Sequence, residues 1–150
     1  MTVATEQATQ IYSIFIRTTP EKLWEAITTP QFTQQYFYGT RITVVPDSFE
    51  SLGADGSDMV KGDVLEFDPP RKLVHSWSSV WDPEQAEEPA SRLTWEIEPQ
   101  DGDLCRLTVT HDQLDASPKT AASVSNGWML VISGLKTLLE TGEPLTSFDG

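Results

Sequence analysis

The sequence predicts an α+β fold in which helices stand apart from an antiparallel sheet. Three observations carry this: strand-like alternation from Arg41 to His111, two Thr-Pro helix openings directly after the first strand, and one long apolar helical stripe near the end. The sheet and that last helix are each apolar on one side, so the covered face of the sheet must receive the helix.

Residues 11–17 (IYSIFIR) alternate and are rich in β-branched and aromatic side chains, as a strand requires. Thr19-Pro20-Glu21 then opens a helix, with threonine as N-cap, proline in the first turn and an acid near the positive end of the dipole. Thr29-Pro30 stops it and offers the same signal to a second short helix, from 31 to about 37, which Gly39 ends. Because Pro30 disfavours helical geometry at Thr29, the two helices meet in a V or an L.

RITVV (41–45) and GDVLEF (62–67) read as strands flanking a loop that holds Gly53 and Gly56, and Pro69-Pro70 turns the chain into KLVHSWSSVW (72–81). The acidic stretch from Asp82 to Pro89 reads as a solvated connection, or as a lid or a docking strip for a basic partner. SRLTWEIE (91–98) and LCRLTVTH (104–111) make a hairpin around Gln100-Asp101-Gly102-Asp103, with Leu93, Trp95, Ile97, Cys105, Leu107 and Val109 on the covered face. With these, about five strands follow the helical pair. Ser117-Pro118 caps the last helix, which runs to about Thr141 with Val124, Trp128, Val131, Ile132, Leu135, Leu138 and Leu139 as its apolar stripe.

At 150 residues, 38% hydrophobic and 22% charged, the chain reads as one soluble domain over 1–150, its core between about 11 and 142 and its termini loose. One cysteine, Cys105, rules out an internal disulfide and reads as a small buried hydrophobe. The net charge is −13 and the ten bases are scattered among 23 acids, so neither nucleic acid nor an anionic membrane is an expected partner. No apolar run approaches the roughly 18 residues of a membrane-spanning helix, and the first ten residues lack the features of a signal peptide, so no membrane insertion and a cytoplasmic location are expected.

Neither a metal nor a cofactor is expected. Cys105 and His111 share a strand face, yet six residues at about 3.4 Å each hold them roughly 20 Å apart, too far for one ion. No paired-cysteine spacing, Gly-x-Ser-x-Gly elbow or glycine-rich phosphate loop occurs.

Four segments carry a family resemblance: TTPEKLWEAITTPQFTQQYF, GDVLEFDPPRKLVHSW, SRLTWEIEPQDGDLCRLTVTH and NGWMLVISGLKTLLETG. In order and spacing they resemble the activators of the ATPase of the ninety-kilodalton heat-shock protein, from about Ile11 to Gly142. The resemblance implies the helix-grip fold of the SRPBCC superfamily, shared with START domains and birch-pollen allergens. In that fold a curved antiparallel sheet wraps a long C-terminal helix and leaves an apolar cavity between them. It also implies that Trp24 packs the first helix on the sheet. Eukaryotic activators carry a further N-terminal domain that engages the chaperone, for which this sequence has no room.

The superfamily includes carriers, cyclases, hydrolases and co-chaperone domains, so function rests on particular residues. Trp77, Trp81, Trp95 and Trp128 lie on elements that would enclose such a cavity, either as ligand-facing rings or as plain core. The expected walls are Leu65, Phe67, Trp77, Trp95, Leu107 and Trp128, with Tyr36 or Tyr38 at the rim. His75 shares parity with Leu73 and Trp77, so it points inward, either orienting a ligand, acting as acid or base, or sitting buried and neutral. The leading expectation is binding of a small apolar or aromatic, lipid- or polyketide-like ligand by a monomer or homodimer without catalytic residues. A cyclase or hydrolase using His75 in the same cavity is the alternative, and a co-chaperone-like module with a protein partner ranks last.

Overall fold

The computed structural model describes residues 9–146, the side chain at position 126 excepted. The expectation of loose ends falls largely on residues outside that range.

β1 (Gln10–Ile16) leads through Thr19, whose side chain accepts from the Lys22 amide, into α1 (Pro20–Thr28). Thr29 is extended, and α2 (Pro30–Tyr36) leaves in a new direction, as the proline pair demands. β2 (Arg41–Val45), β3 (Ser48–Leu52), β4 (Asp58–Asp68) and β5 (Lys72–Ser79) follow. A single-turn α3 (Pro83–Ala86), β6 (Ser91–Pro99), β7 (Cys105–Asp112) and α4 (Pro118–Thr141) complete the chain.

The seven strands form one antiparallel sheet in the order β1-β7-β6-β5-β4-β3-β2. Strands β2 to β7 therefore meander, and β1 returns to the free side of β7. The helical pair carries the chain from one sheet edge to the other, and the sheet curves around α4. Trp128, Val131, Ile132, Leu135 and Leu138 form the buried stripe of α4. Tyr36 is buried against α4, where a Cβ on Gly134 would stand 3.1 Å from the Tyr36 Cβ. Trp24 meets Phe67 edge to face at 5.4 Å, joining α1 to the sheet.

Two local expectations are corrected. Residues 48–52 are a sixth strand after the helices rather than part of a loop, with Phe49 and Ser51 turned inward. In β4 the register slips between Val64 and Glu66: Val64 pairs with His75 but Glu66 with Val74. The extra residue is Leu65, and the bulge throws its side chain out to 61% exposure. Simple alternation assigns Leu65 to the inner face, and one inserted residue reverses that.

The acidic stretch is not merely solvated. Glu88 accepts from the backbone amides of Lys119 and Thr120 at 2.9 and 2.8 Å and from the Thr120 hydroxyl at 2.7 Å. Ser117 makes no side-chain cap; its hydroxyl donates to the Pro89 carbonyl instead. A carboxylate borrowed from another segment thus caps α4. Burial alone would push the Glu88 pKa up, but the bonds from Thr120 and Lys119 outweigh it and hold the carboxyl below the ordinary glutamate range. Glu88→Ala is expected to cost about 1–2 kcal/mol, lowering Tm by roughly 3–6 °C in a thermal melt. An unchanged Tm would show that the cap is dispensable.

Candidate functional site

The space between sheet and α4 is filled for most of its length by rings. Phe49 stacks on His75 with centroids 3.8 Å apart, Trp77 lies 5.9 Å from Phe49 and 5.9 Å from Trp128, and Trp95 meets Trp128 edge to face at 5.7 Å. At one end the packing stops. There a pocket of about 310 Å³ remains, near the lower limit for small-molecule sites.

Four parts of the chain build it. The end of α2 and the turn after it supply Phe37, Tyr38 and Thr40; β3 and β4 supply Ser51, Met59 and Val60; β5 and its continuation supply Trp77, Ser79 and Trp81; α4 supplies Ser123, Val124, Gly127, Trp128 and Val131. No Asp, Glu, Lys, Arg, His or Cys is among them. Tyr38 stands at the rim, 47% exposed, its hydroxyl donating to the Gly127 carbonyl at 3.4 Å. Its backbone is left-handed (φ 54°) and Gly39 continues so (φ 73°), which swings the ring away from the path of α2 at a cost of about 1 kcal/mol. Trp81 stands half exposed on the sheet side of the opening.

The two deep indoles offer faces rather than donors. Trp77 Nε1 donates to Ser79 Oγ at 3.0 Å, and Trp128 Nε1 to His111 Nδ1 at 3.3 Å. His111 Nε2 then donates to Ser91 Oγ at 2.7 Å, which reaches on to the Trp77 carbonyl. His75 is arranged likewise: Nε2 accepts from Trp95 Nε1 at 3.1 Å, and Nδ1 donates to the Ser76 carbonyl at 2.9 Å. Each imidazole is thus held as a single neutral tautomer with both nitrogens engaged. Burial pushes His75 down to about 4, against a weaker upward pull from the Ser76 carbonyl. Burial, then the His75 charge, pushes His111 down to about 3, with Asp112 opposing.

Of the residues expected at the site, Tyr38, Trp77 and Trp128 line the pocket. Tyr36, His75, Trp95 and Leu107 point inward but lie in the filled part, each fully buried or nearly so. Tyr36 donates its hydroxyl to the Ala26 carbonyl at 2.8 Å rather than reaching a rim. Phe67 belongs to the Trp24 contact, and Leu65 faces solvent. Parity along a strand tells in from out, not which end of the sheet the helix leaves uncovered. Ser51 and Val60 were missed with strand β3 and the true start of β4. Trp81, expected on an element enclosing the cavity but not among its walls, lines the pocket as well.

Among the described residues no group of acidic, histidine and cysteine side chains is arranged to hold a metal, and no helix is long and apolar enough to cross a membrane.

A curved antiparallel sheet gripping a C-terminal helix, with an uncharged pocket at one end, defines a helix-grip domain of the SRPBCC kind. The chain belongs to the family described as Activator of Hsp90 ATPase homolog 1-like protein, whose model matches residues 17–140. No curated protein sequence matches it. Among solved structures it is similar to an HSP90 activator from Plasmodium falciparum (19% identity, 91% of this chain and 98% of the other, TM-score 0.72). It is also similar to DynU16, from the dynemicin biosynthetic locus (21% identity, 91% and 49%, TM-score 0.73). A third likeness is the Aha1 dimer from Colwellia psychrerythraea (17% identity, 89% and 97%, TM-score 0.69). At such identities these likenesses establish the fold alone.

Proposed function

We propose that this protein binds a small, uncharged, largely aromatic ligand in the pocket between β3–β5 and the first half of α4. The observation that carries the reading is a concave, tryptophan-walled site without a single ionic side chain among its described lining residues. An ionised ligand would lose its hydration there with no countercharge in the lining. Acid–base chemistry has no support either: among the described lining residues only Tyr38 is titratable, and burial raises its pKa above the usual phenol value. Binding without catalysis is therefore the better-supported use of the site, and the His75-based alternative lacks contact between His75 and the pocket.

Titration with neutral N-phenyl-1-naphthylamine, read by quenching of tryptophan emission and by dye enhancement, is expected to give a dissociation constant on the order of micromolar. Val124→Trp, which fills the pocket from α4, is expected to weaken it by at least about tenfold while the circular dichroism stays unchanged. Equal binding by both proteins, or by neither, sinks the reading.

A protein partner is a second reading, favoured by the family match. Stimulation of the ATPase of a cognate HSP90 chaperone is its assay, and absence of stimulation removes it.

A further inference from the structure

The floor of the pocket holds two hydroxyls that a purely apolar ligand would leave unused. The register sets Ser51 opposite Val60 and Val60 opposite Ser79, so the three residues form one row across β3, β4 and β5. All three face inward and line the pocket, Ser51 and Ser79 each 2% exposed.

The chemistry of each hydroxyl follows from its neighbours. Ser79 Oγ already accepts from Trp77 Nε1 at 3.0 Å. Its proton must point elsewhere, and no described side chain or carbonyl receives it. The Ser51 hydroxyl makes no hydrogen bond to any described residue, and it can both give and accept. Both hydroxyls line the pocket, so a ligand oxygen in reach can take the place of water on them. Ser79 therefore offers a donor, and Ser51 either role.

Spacing restricts the ligand further. Two strand separations of about 4.8 Å put the hydroxyls roughly 10 Å apart, with the Val60 side chain between them. Hydrogen bonds of about 2.8 Å that lean inward over Val60 from either end leave roughly 4–6 Å between two ligand oxygens. That is close to the width of one six-membered ring bearing oxygens at opposite positions.

Building on the apolar-ligand reading, we infer that Ser51 and Ser79 are specificity-determining residues that select a flat, neutral ring system with two oxygens para across one ring, of quinone or hydroquinone type. The Val60 side chain supports the ring between the two oxygens, and Trp77 and Trp128 supply apolar faces around it.

Anthraquinone, anthrone and anthracene share one frame and carry two, one and no oxygens. Their affinities for the wild-type protein, measured by tryptophan quenching and ligand-observed NMR, are expected to fall in that order by about tenfold per oxygen. Ser79→Ala and Ser51→Ala are each expected to lose about tenfold toward anthraquinone and to leave anthracene unchanged, which also shows that the pocket is intact. Anthracene binding as tightly as anthraquinone, or serine variants that hold anthraquinone as the wild type does, overturns the role of the serines and leaves the apolar pocket standing. If none of the three binds the wild-type protein, both readings fall together.

Discussion

Between pH 6 and pH 4 the protein is expected to lose about 5 kcal/mol of folding stability, with the two buried histidines carrying the loss. Unfolded, both titrate near 6.5. Folded, His75 titrates at about 4 and His111 at about 3. As pH falls through 6.5 the unfolded chain therefore takes up two protons that the native state refuses, and the loss of stability steepens toward about 3 kcal/mol per pH unit near pH 5, then eases as the folded values are reached. Geometry gives the same sign. Protonation would set an N–H against the indole N–H of Trp95 or Trp128, destroying both bonds. Glu88 and Glu140, whose folded pKa values are lowered, add their own losses only below the usual glutamate range. Urea denaturation at steps from pH 6.5 to 5 thus isolates the histidines. His75→Gln and His111→Gln should each halve the slope; a slope indifferent to both replacements would refute the assignment.

Gly62→Ala is expected to cost roughly 3 kcal/mol or more, and Gly62→Val to prevent folding at ordinary temperatures. A Cβ at position 62 would lie 1.9 Å from the Ser76 carbonyl oxygen and 2.8 Å from its carbon. Both are main-chain atoms, so no rotamer change can make room. The same carbonyl takes the His75 Nδ1 proton, and the Ser76 hydroxyl accepts from the Asp63 amide. Pushing the strands apart would therefore loosen the histidine network as well as the β4–β5 ladder. Gly102→Ala serves as comparison, because its added Cβ meets nothing within 4 Å although φ is +71°; it should cost about 1 kcal/mol. An alanine at 62 that melts with the wild type would show that the strands part freely.

The architecture was legible because its signals are local and repeated. Thr-Pro pairs, strand parity from 91 to 111 and the stripe of α4 each predict their element, and the order of elements predicts the layers. The pocket was legible only in kind. Trp77 and Trp128 were recoverable from parity and helical stripe, and Tyr38 as one of two tyrosines at the end of the second helix. Ser51 escaped because β3 has two inward residues, one of them a serine, within a run of acids and glycines. Leu65 was misassigned because a bulge reverses parity without marking itself in composition. Glu88 as the cap of α4 is a contact across 31 residues to Lys119, and nothing near Ser117 announces it.

The ring cluster beneath the pocket has one more implication. Since Phe49, His75 and Trp95 fill the interior behind it, the hollow ends within the protein on that side. On the proposed reading, a guest longer than the hollow would therefore keep its far end outside the protein.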